Sequence, residues 1–143
     1  MSLSSMTLDF ALPPAGPLIG VGIDMVDVAR IKELRERHGD RFLRRVYTEP
    51  ELEYCLKRGA PDQHLAARFA AKEAVSKAFT TGIGEHFAWK SISLALGARS
   101  QPEVELDDDG RDYLRQIGGD RISVSVSHTD NMAIAIAAII GRI

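Results

Sequence analysis

The sequence predicts an α+β fold, a largely antiparallel sheet packed against one long helix. Three observations carry that expectation. The stretch Leu18–Val26 alternates Val21, Ile23 and Met25 with Gly20, Gly22 and Asp24, the period of a strand. Between Pro61 and Thr80, six alanines (Ala66, Ala67, Ala70, Ala71, Ala74 and Ala78) mark a long helix that neighbouring backbone can approach closely. The chain closes with two apolar segments, Arg121–Ser127 and Met132–Ile140, joined by His128-Thr-Asp-Asn131, a hairpin signal.

Each element has a local reason. Gly20 and Gly22 leave one face of the first strand bare, so another element can approach its backbone beside Asp24. Val28–Arg37 predicts a helix with Val28, Ile31 and Leu34 on one face. Thr48-Glu-Pro-Glu51 is a capping box with proline in the first turn, opening a helix to about Lys57. Pro61 and Asp62 open the alanine-rich helix, and Gly82 and Gly84 end it. Trp89–Leu96 and Glu103–Leu106 read as strands, with a short helix after the acidic turn Asp107–Gly110.

A chain of 143 residues is the size of one domain, and we expect residues 17–143 to form it. Residues 1–16, which end in Leu-Pro-Pro-Ala-Gly16, read as a flexible N-terminal extension. Hydrophobic residues make up 45% and charged residues 27%, a globular balance. The single cysteine, Cys55, has no partner within the chain, which favours a cytoplasmic protein. A net charge of −2 gives nucleic-acid binding no electrostatic support. The longest apolar run, Met132–Ile140, is too short for a membrane-spanning helix, so no membrane partner is expected.

Charge is unevenly spread. Arg30–Arg45 holds seven Lys and Arg (Arg30, Lys32, Arg35, Arg37, Arg41, Arg44, Arg45) against Glu33, Glu36 and Asp40. A basic face on a nearly neutral protein suits an acidic partner, although solvated helices also look like this. Asp24, on an otherwise apolar strand, needs a cation or a basic side chain as company. Glu73 and Lys77 lie one turn apart among Ala70 and Ala74, small apolar surroundings unlike those of a surface ion pair. Two carboxylates from separate elements and a lysine can hold Mg²⁺ and phosphate oxygens, since Mg²⁺ takes one or two carboxylates and leaves its other positions to water and substrate. Arg68 and Lys72 share that helix and reach either phosphate or solvent. His128 stands at the mouth of the hairpin, and Gly82-Ile-Gly84 is a C-cap or a phosphate-approaching turn.

Three stretches together resemble the holo-acyl-carrier-protein synthase family, the small type of 4′-phosphopantetheinyl transferase. They are Gly20-Val-Gly-Ile-Asp-Met-Val26 with Arg30-Ile31, then Arg68-Phe-Ala-Ala-Lys-Glu-Ala-Val-Ser-Lys-Ala-Phe79, then Val126-Ser-His-Thr129. The resemblance implies the 4′-phosphopantetheinyl transferase fold and Mg²⁺-dependent transfer of phosphopantetheine from coenzyme A to a serine of apo acyl carrier protein, with adenosine 3′,5′-bisphosphate leaving. It implies Asp24 and Glu73 as metal ligands, Glu73 also orienting or deprotonating the serine, and Lys77 neutralising the attacked phosphate. Ser127, His128 and Gly82 become coenzyme A contacts, Arg30 and Arg37 carrier-docking residues, and the protein a homotrimer with active sites between subunits. The chain departs from the family pattern at Thr80, where glycine is usual, and at Ser100-Gln101-Pro102, where Gly-Lys/Arg-Pro is usual. Two other classes fit parts of the pattern. A Mg²⁺-dependent pyrophosphate hydrolase would use the same Asp24 and Glu73 with water as nucleophile, but the chain carries no Nudix-type glutamate-rich helix and no Walker A pattern. A metal-independent module docking acidic proteins would need only Arg30–Arg45.

Overall fold

In the computed structural model the described residues are 16–84 and 87–143. Residues 1–15, nearly all of the anticipated extension, lie outside them. The element order is β1 (Leu18–Asp27), α1 (Val28–His38), α2 (Asp40–Val46), α3 (Glu49–Leu56), α4 (Pro61–Ala78), β2 (Ile92–Leu96), β3 (Pro102–Leu106), α5 (Asp108–Gln116), β4 (Gly119–His128) and β5 (Met132–Gly141). Strands β1, β5 and β4 form an antiparallel sheet with β5 in the centre, and β2 pairs with β3 in a separate hairpin. The α+β expectation holds. Two local readings are corrected. Asp40–Val46 is a helix, set off from α1 by Gly39 in a left-handed conformation (φ 55°), where sequence periodicity was too short to read. Trp89–Ser91 is a single 3-10 turn, and the strand begins only at Ile92.

The core lies between α4 and the inner face of the sheet. Leu65, Ala66, Ala70, Ala71, Ala74 and Val75 are buried there beside Ala133, Ala135, Ala137 and Ile139 of β5. A Cβ on Gly22 would stand 2.0 Å from the Ala74 carbonyl oxygen, and one on Gly20 2.2 Å from that of Ala78. These glycines therefore let the helix backbone rest on the strand backbone, the approach anticipated beside Asp24.

Lys72 was read as reaching phosphate or solvent, and it reaches neither. Its side chain is fully buried, with Nζ 2.7 Å from Glu51 Oε1 and donating to the carbonyls of Trp89 (3.1 Å) and Ile92. Glu51 closes the capping box by accepting from the Thr48 amide (2.9 Å), while its second oxygen accepts from the Leu94 amide (3.1 Å). One buried ion pair thus ties α3, α4 and β2 together, with its remaining polar positions satisfied, as such a pair requires. Arg35 adds a two-point bond to Asp62 (2.7 and 2.9 Å) that fixes α1 against the start of α4. Burial pushes the Cys55 thiol up to about 11, which leaves it unreactive.

Helix α4 ends with Phe79 as its C-cap and Thr80 at φ 67°. This is the left-handed position after a helix that glycine occupies freely and a β-branched residue occupies under strain. Ser100, in the β2–β3 turn, is held at φ 61°. Both departures from the family pattern therefore fall where the backbone favours glycine. Thr80→Gly is expected to stabilise the protein by about 1 kcal/mol in denaturant titrations. An unchanged or lowered midpoint would contradict the strain.

Candidate active site

The site grows out of the glycine–alanine contact. With Ala74 and Ala78 seated on β1, the next residue on the same strand face, Asp24, meets the C-terminal half of α4. Lys77 Nζ lies 2.8 Å from Asp24 Oδ1 and 3.4 Å from the Ile23 carbonyl oxygen. The Asp24 side chain is 16% exposed and Lys77 50%. The bond to Asp24, together with the charges of Asp24 and Glu73, raises the Lys77 ammonium above its ordinary value against a smaller opposing effect of burial. Glu73 is half-buried one turn earlier. Burial first, then the charge of Asp24, push its carboxyl above the ordinary glutamate value, with Lys77 and Arg30 pulling the other way.

Glu73 opens on a cavity of about 610 Å³ whose walls include Gly82, Ile83, Phe87, Trp89 and Arg45. Gly82 turns there with φ 70°, and its amide donates back to the Ser76 carbonyl (3.2 Å). The sequence-derived residues Asp24, Glu73, Lys77 and Gly82 are thus brought to one end of α4.

The other residues lie elsewhere. His128, the last residue of β4, packs its ring against His64 on the N-terminal half of α4, with centroids 5.4 Å apart. Arg68 and Arg58 both stack on Tyr54 beside this pair, at 4.3 and 4.0 Å. Arg68 is almost fully buried and its Nε has no hydrogen-bond partner among the described residues. Burial, followed by the charges of His128, Arg68 and Arg58, lowers the His64 pKa below its ordinary value. Ser127 pairs in register with Ile134, which pairs with Met25, and all three are exposed on the sheet face turned away from α4. Within one chain Ser127 is therefore on the opposite side of the sheet from Asp24.

Arg30 and Arg37 are exposed on α1. The Arg30 guanidinium stands 5.9 Å from the Phe69 ring centre, whereas Arg37 is paired with Glu33 at 2.9 Å. Between α1, α2 and α4 lies a groove of about 310 Å³ with Leu34, Phe42, Phe69 and Trp89 on its apolar surface and Arg41 and Arg45 at its edge. Sequence reading missed this groove, as it missed Arg58 and His64. Phe42 within the basic stretch was the one visible trace of it.

The sequence model of the 4′-phosphopantetheinyl transferase superfamily matches residues 20–137. The chain belongs to this superfamily. Its relatives place it on the holo-acyl-carrier-protein synthase branch. The holo-[acyl-carrier-protein] synthase of Chlamydia trachomatis serovar D is 43% identical over 120 residues, covering 84% of this chain and 98% of its own length. That of Shewanella frigidimarina is 42% identical over 118 residues, 82% of this chain and 94% of its own. The crystal structure of the Neisseria meningitidis synthase superposes with a TM-score of 0.81 at 32% identity, covering 86% of this chain and 98% of that one. The Helicobacter pylori synthase, crystallised in complex with coenzyme A, gives 0.74 at 29% identity over 83% and 98%. In this fold the two ends of α4 carry different side chains. One end gathers two carboxylates and a lysine, the other a cluster of arginines and histidines. No helix among the described residues is long and apolar enough to cross a membrane.

Proposed function

We propose that this chain transfers 4′-phosphopantetheine from coenzyme A to a serine of apo acyl carrier protein, releasing adenosine 3′,5′-bisphosphate, as a Mg²⁺-dependent cytoplasmic enzyme of fatty acid biosynthesis. The observation that carries this reading is the meeting of Asp24, Lys77 and Glu73 at the C-terminal half of α4, where Lys77 pairs with Asp24 and Glu73 opens on the neighbouring cavity.

The donor set fits Mg²⁺. Asp24 and Glu73 are hard oxygen ligands; burial first and then the charge of Asp24 raise Glu73, and a divalent cation would offset both. No third His, Cys, Asp or Glu joins them among the described residues, which suits an ion that leaves its other positions to water and phosphate. When bound, Mg²⁺ supplies charge neutralisation for the pyrophosphate. Lys77, half exposed and held by Asp24, would meet the same phosphate as a point charge. Glu73 takes the serine proton, directly or through one water, and its raised basicity favours that role. The serine oxygen then bonds to the phosphorus that carries pantetheine, and that phosphorus loses its bond to the bridging oxygen, which leaves with the nucleotide. Such a reaction asks for position and charge more than for covalent help.

Arg58 and Arg68, with His64 and His128 beside them, support an anionic contact for coenzyme A. The groove edged by Arg41 and Arg45, with Arg30 and Arg37 alongside, suits an acidic carrier with an apolar ridge. Arg30→Glu is expected to raise the KM for carrier about tenfold and leave coenzyme A affinity within twofold. Equal loss toward both substrates in separate titrations would remove Arg30 from docking.

Val21, Ile23, Met25, Ile134 and Ile136 stand 37–60% exposed on the outer sheet face. A patch of that kind marks an association surface, which supports a homotrimer. Ser127, on the same face, would then meet a neighbouring copy, which fits active sites built between subunits.

The test is the intact mass of apo acyl carrier protein after incubation with this protein, coenzyme A and Mg²⁺. A gain of one phosphopantetheine, abolished by EDTA, is expected; no gain across several carriers would overturn the reading.

A further inference from the structure

The carrier groove and the Glu73 cavity are adjacent, and Trp89 and Arg45 belong to the walls of both. Arg45 is an exposed, flexible side chain. Trp89 is different. Its partly buried indole packs at a tilt against Phe69, with ring centres 4.7 Å apart and planes 31° apart. Its backbone sits in the 3-10 turn, and its carbonyl accepts from Lys72 Nζ, whose ammonium is fixed by Glu51. The ring thus packs against Phe69 of α4, while Lys72 of the same helix, which also carries Glu73, fixes the backbone from which it projects. A rigid aromatic plate separates the surface where a carrier would dock from the cavity where its serine must react.

We propose that Trp89 is a positioning and specificity residue for the carrier: its indole contacts the docked carrier in the groove and directs the acceptor hydroxyl past its edge toward Glu73. This rests on the transferase reading above. The physical grounds are shape and rigidity. Tryptophan offers a large contact area at little conformational cost, and anchors of this kind carry a disproportionate share of interface energy. A neighbour held in place on two sides keeps the reacting oxygen within near-attack range, where displacements of about 1 Å are costly. Lys72 and Glu51, remote from both openings, act here through Trp89.

Trp89 is the only tryptophan in the chain, so its fluorescence reports on this position alone. The probe is an apo acyl carrier protein without tryptophan whose acceptor serine is replaced by alanine, titrated into the full chain while calorimetry measures binding independently. Carrier binding is expected to shift the emission to shorter wavelength as the indole loses its water. Kinetically, Trp89→Ala is expected to raise carrier KM about tenfold and lower kcat about tenfold, with the coenzyme A Kd within twofold and Trp89→Phe recovering most of the loss. A purely structural role would instead lower the melting temperature without that split between substrates. Binding by calorimetry with an unmoved emission spectrum, or carrier kinetics of Trp89→Ala equal to the unsubstituted protein, overturns the proposal and leaves the transferase reading standing. If the unsubstituted protein neither binds nor modifies any carrier, the transferase reading fails and this proposal with it. Should Trp89→Ala not fold, the fluorescence titration of the unsubstituted chain decides alone.

Discussion

Glu73→Gln is expected to lower phosphopantetheine transfer by about a thousandfold or more, while the folded protein loses no stability. Gln keeps the shape of Glu, so packing beside Ala74 is undisturbed. What disappears is a carboxylate that the fold holds at a disadvantage, being desolvated and facing Asp24. The sign follows directly. A glutamate whose folded pKa lies above its unfolded value favours the fold when protonated and opposes it when ionised, so the penalty is present at neutral pH. A neutral amide removes that penalty. The variant should therefore show an equal or slightly higher melting temperature at pH 7 alongside lost activity, measured by carrier mass shift and by thermal denaturation. Retained transfer would take Glu73 out of the reaction. A matching fall in both quantities would make its role one of packing.

The second large effect is steric. Gly22→Ala places a methyl carbon 2.0 Å from the Ala74 carbonyl oxygen and 2.6 Å from the Ala78 amide nitrogen, both of them backbone atoms with no rotamer to yield. Helix α4 must then lift from β1. The expected cost is about 3 kcal/mol, the upper range for overpacking, read as a fall in the denaturant midpoint. Because the lift also separates Asp24 from Lys77 and Glu73, the surviving folded fraction should transfer slowly even below its melting temperature. Gly39→Ala is the control: its Cβ meets nothing within 4 Å, so its cost comes only from the backbone at φ 55°. A stable, active Gly22→Ala protein would mean the helix and strand are not in backbone contact.

What the sequence made legible was whatever depends on neighbours along the chain. The glycine–aspartate alternation of β1, the alanine spacing of α4 and the hairpin at His128–Asn131 were all visible, and Asp24, Glu73 and Lys77 came with them. The 3.2 and 3.1 Å bonds from the Asn131 and Met132 amides to Thr129 Oγ1 give that hairpin its local cause. What stayed hidden depends on pairs far apart in sequence. Glu51 reads as a capping residue and Lys72 as a cation reaching phosphate or solvent until the fold buries them against each other. The groove draws on α1, α2, α4 and the turn at Trp89, so no single stretch announces it. Helix α2 is seven residues long, two turns with barely one repeat of its apolar pattern, too little for periodicity to register.

The contact of Ala74 and Ala78 with Gly22 and Gly20 also bears on how this protein can change over time. The separation between Asp24 and the helix-borne Lys77 and Glu73 is gauged by main-chain atoms, which every substitution leaves chemically alike. Large core side chains, such as Leu65 and Val75 of α4 and Ile92 of β2, can drift among hydrophobic types and move only the melting temperature. Residues 20 and 22 have no such latitude, because enlarging either one changes the gauge itself. The spacing of these three side chains and the composition of the core are thereby uncoupled, and a lineage of such proteins is free to adjust its thermal tolerance without moving them relative to one another.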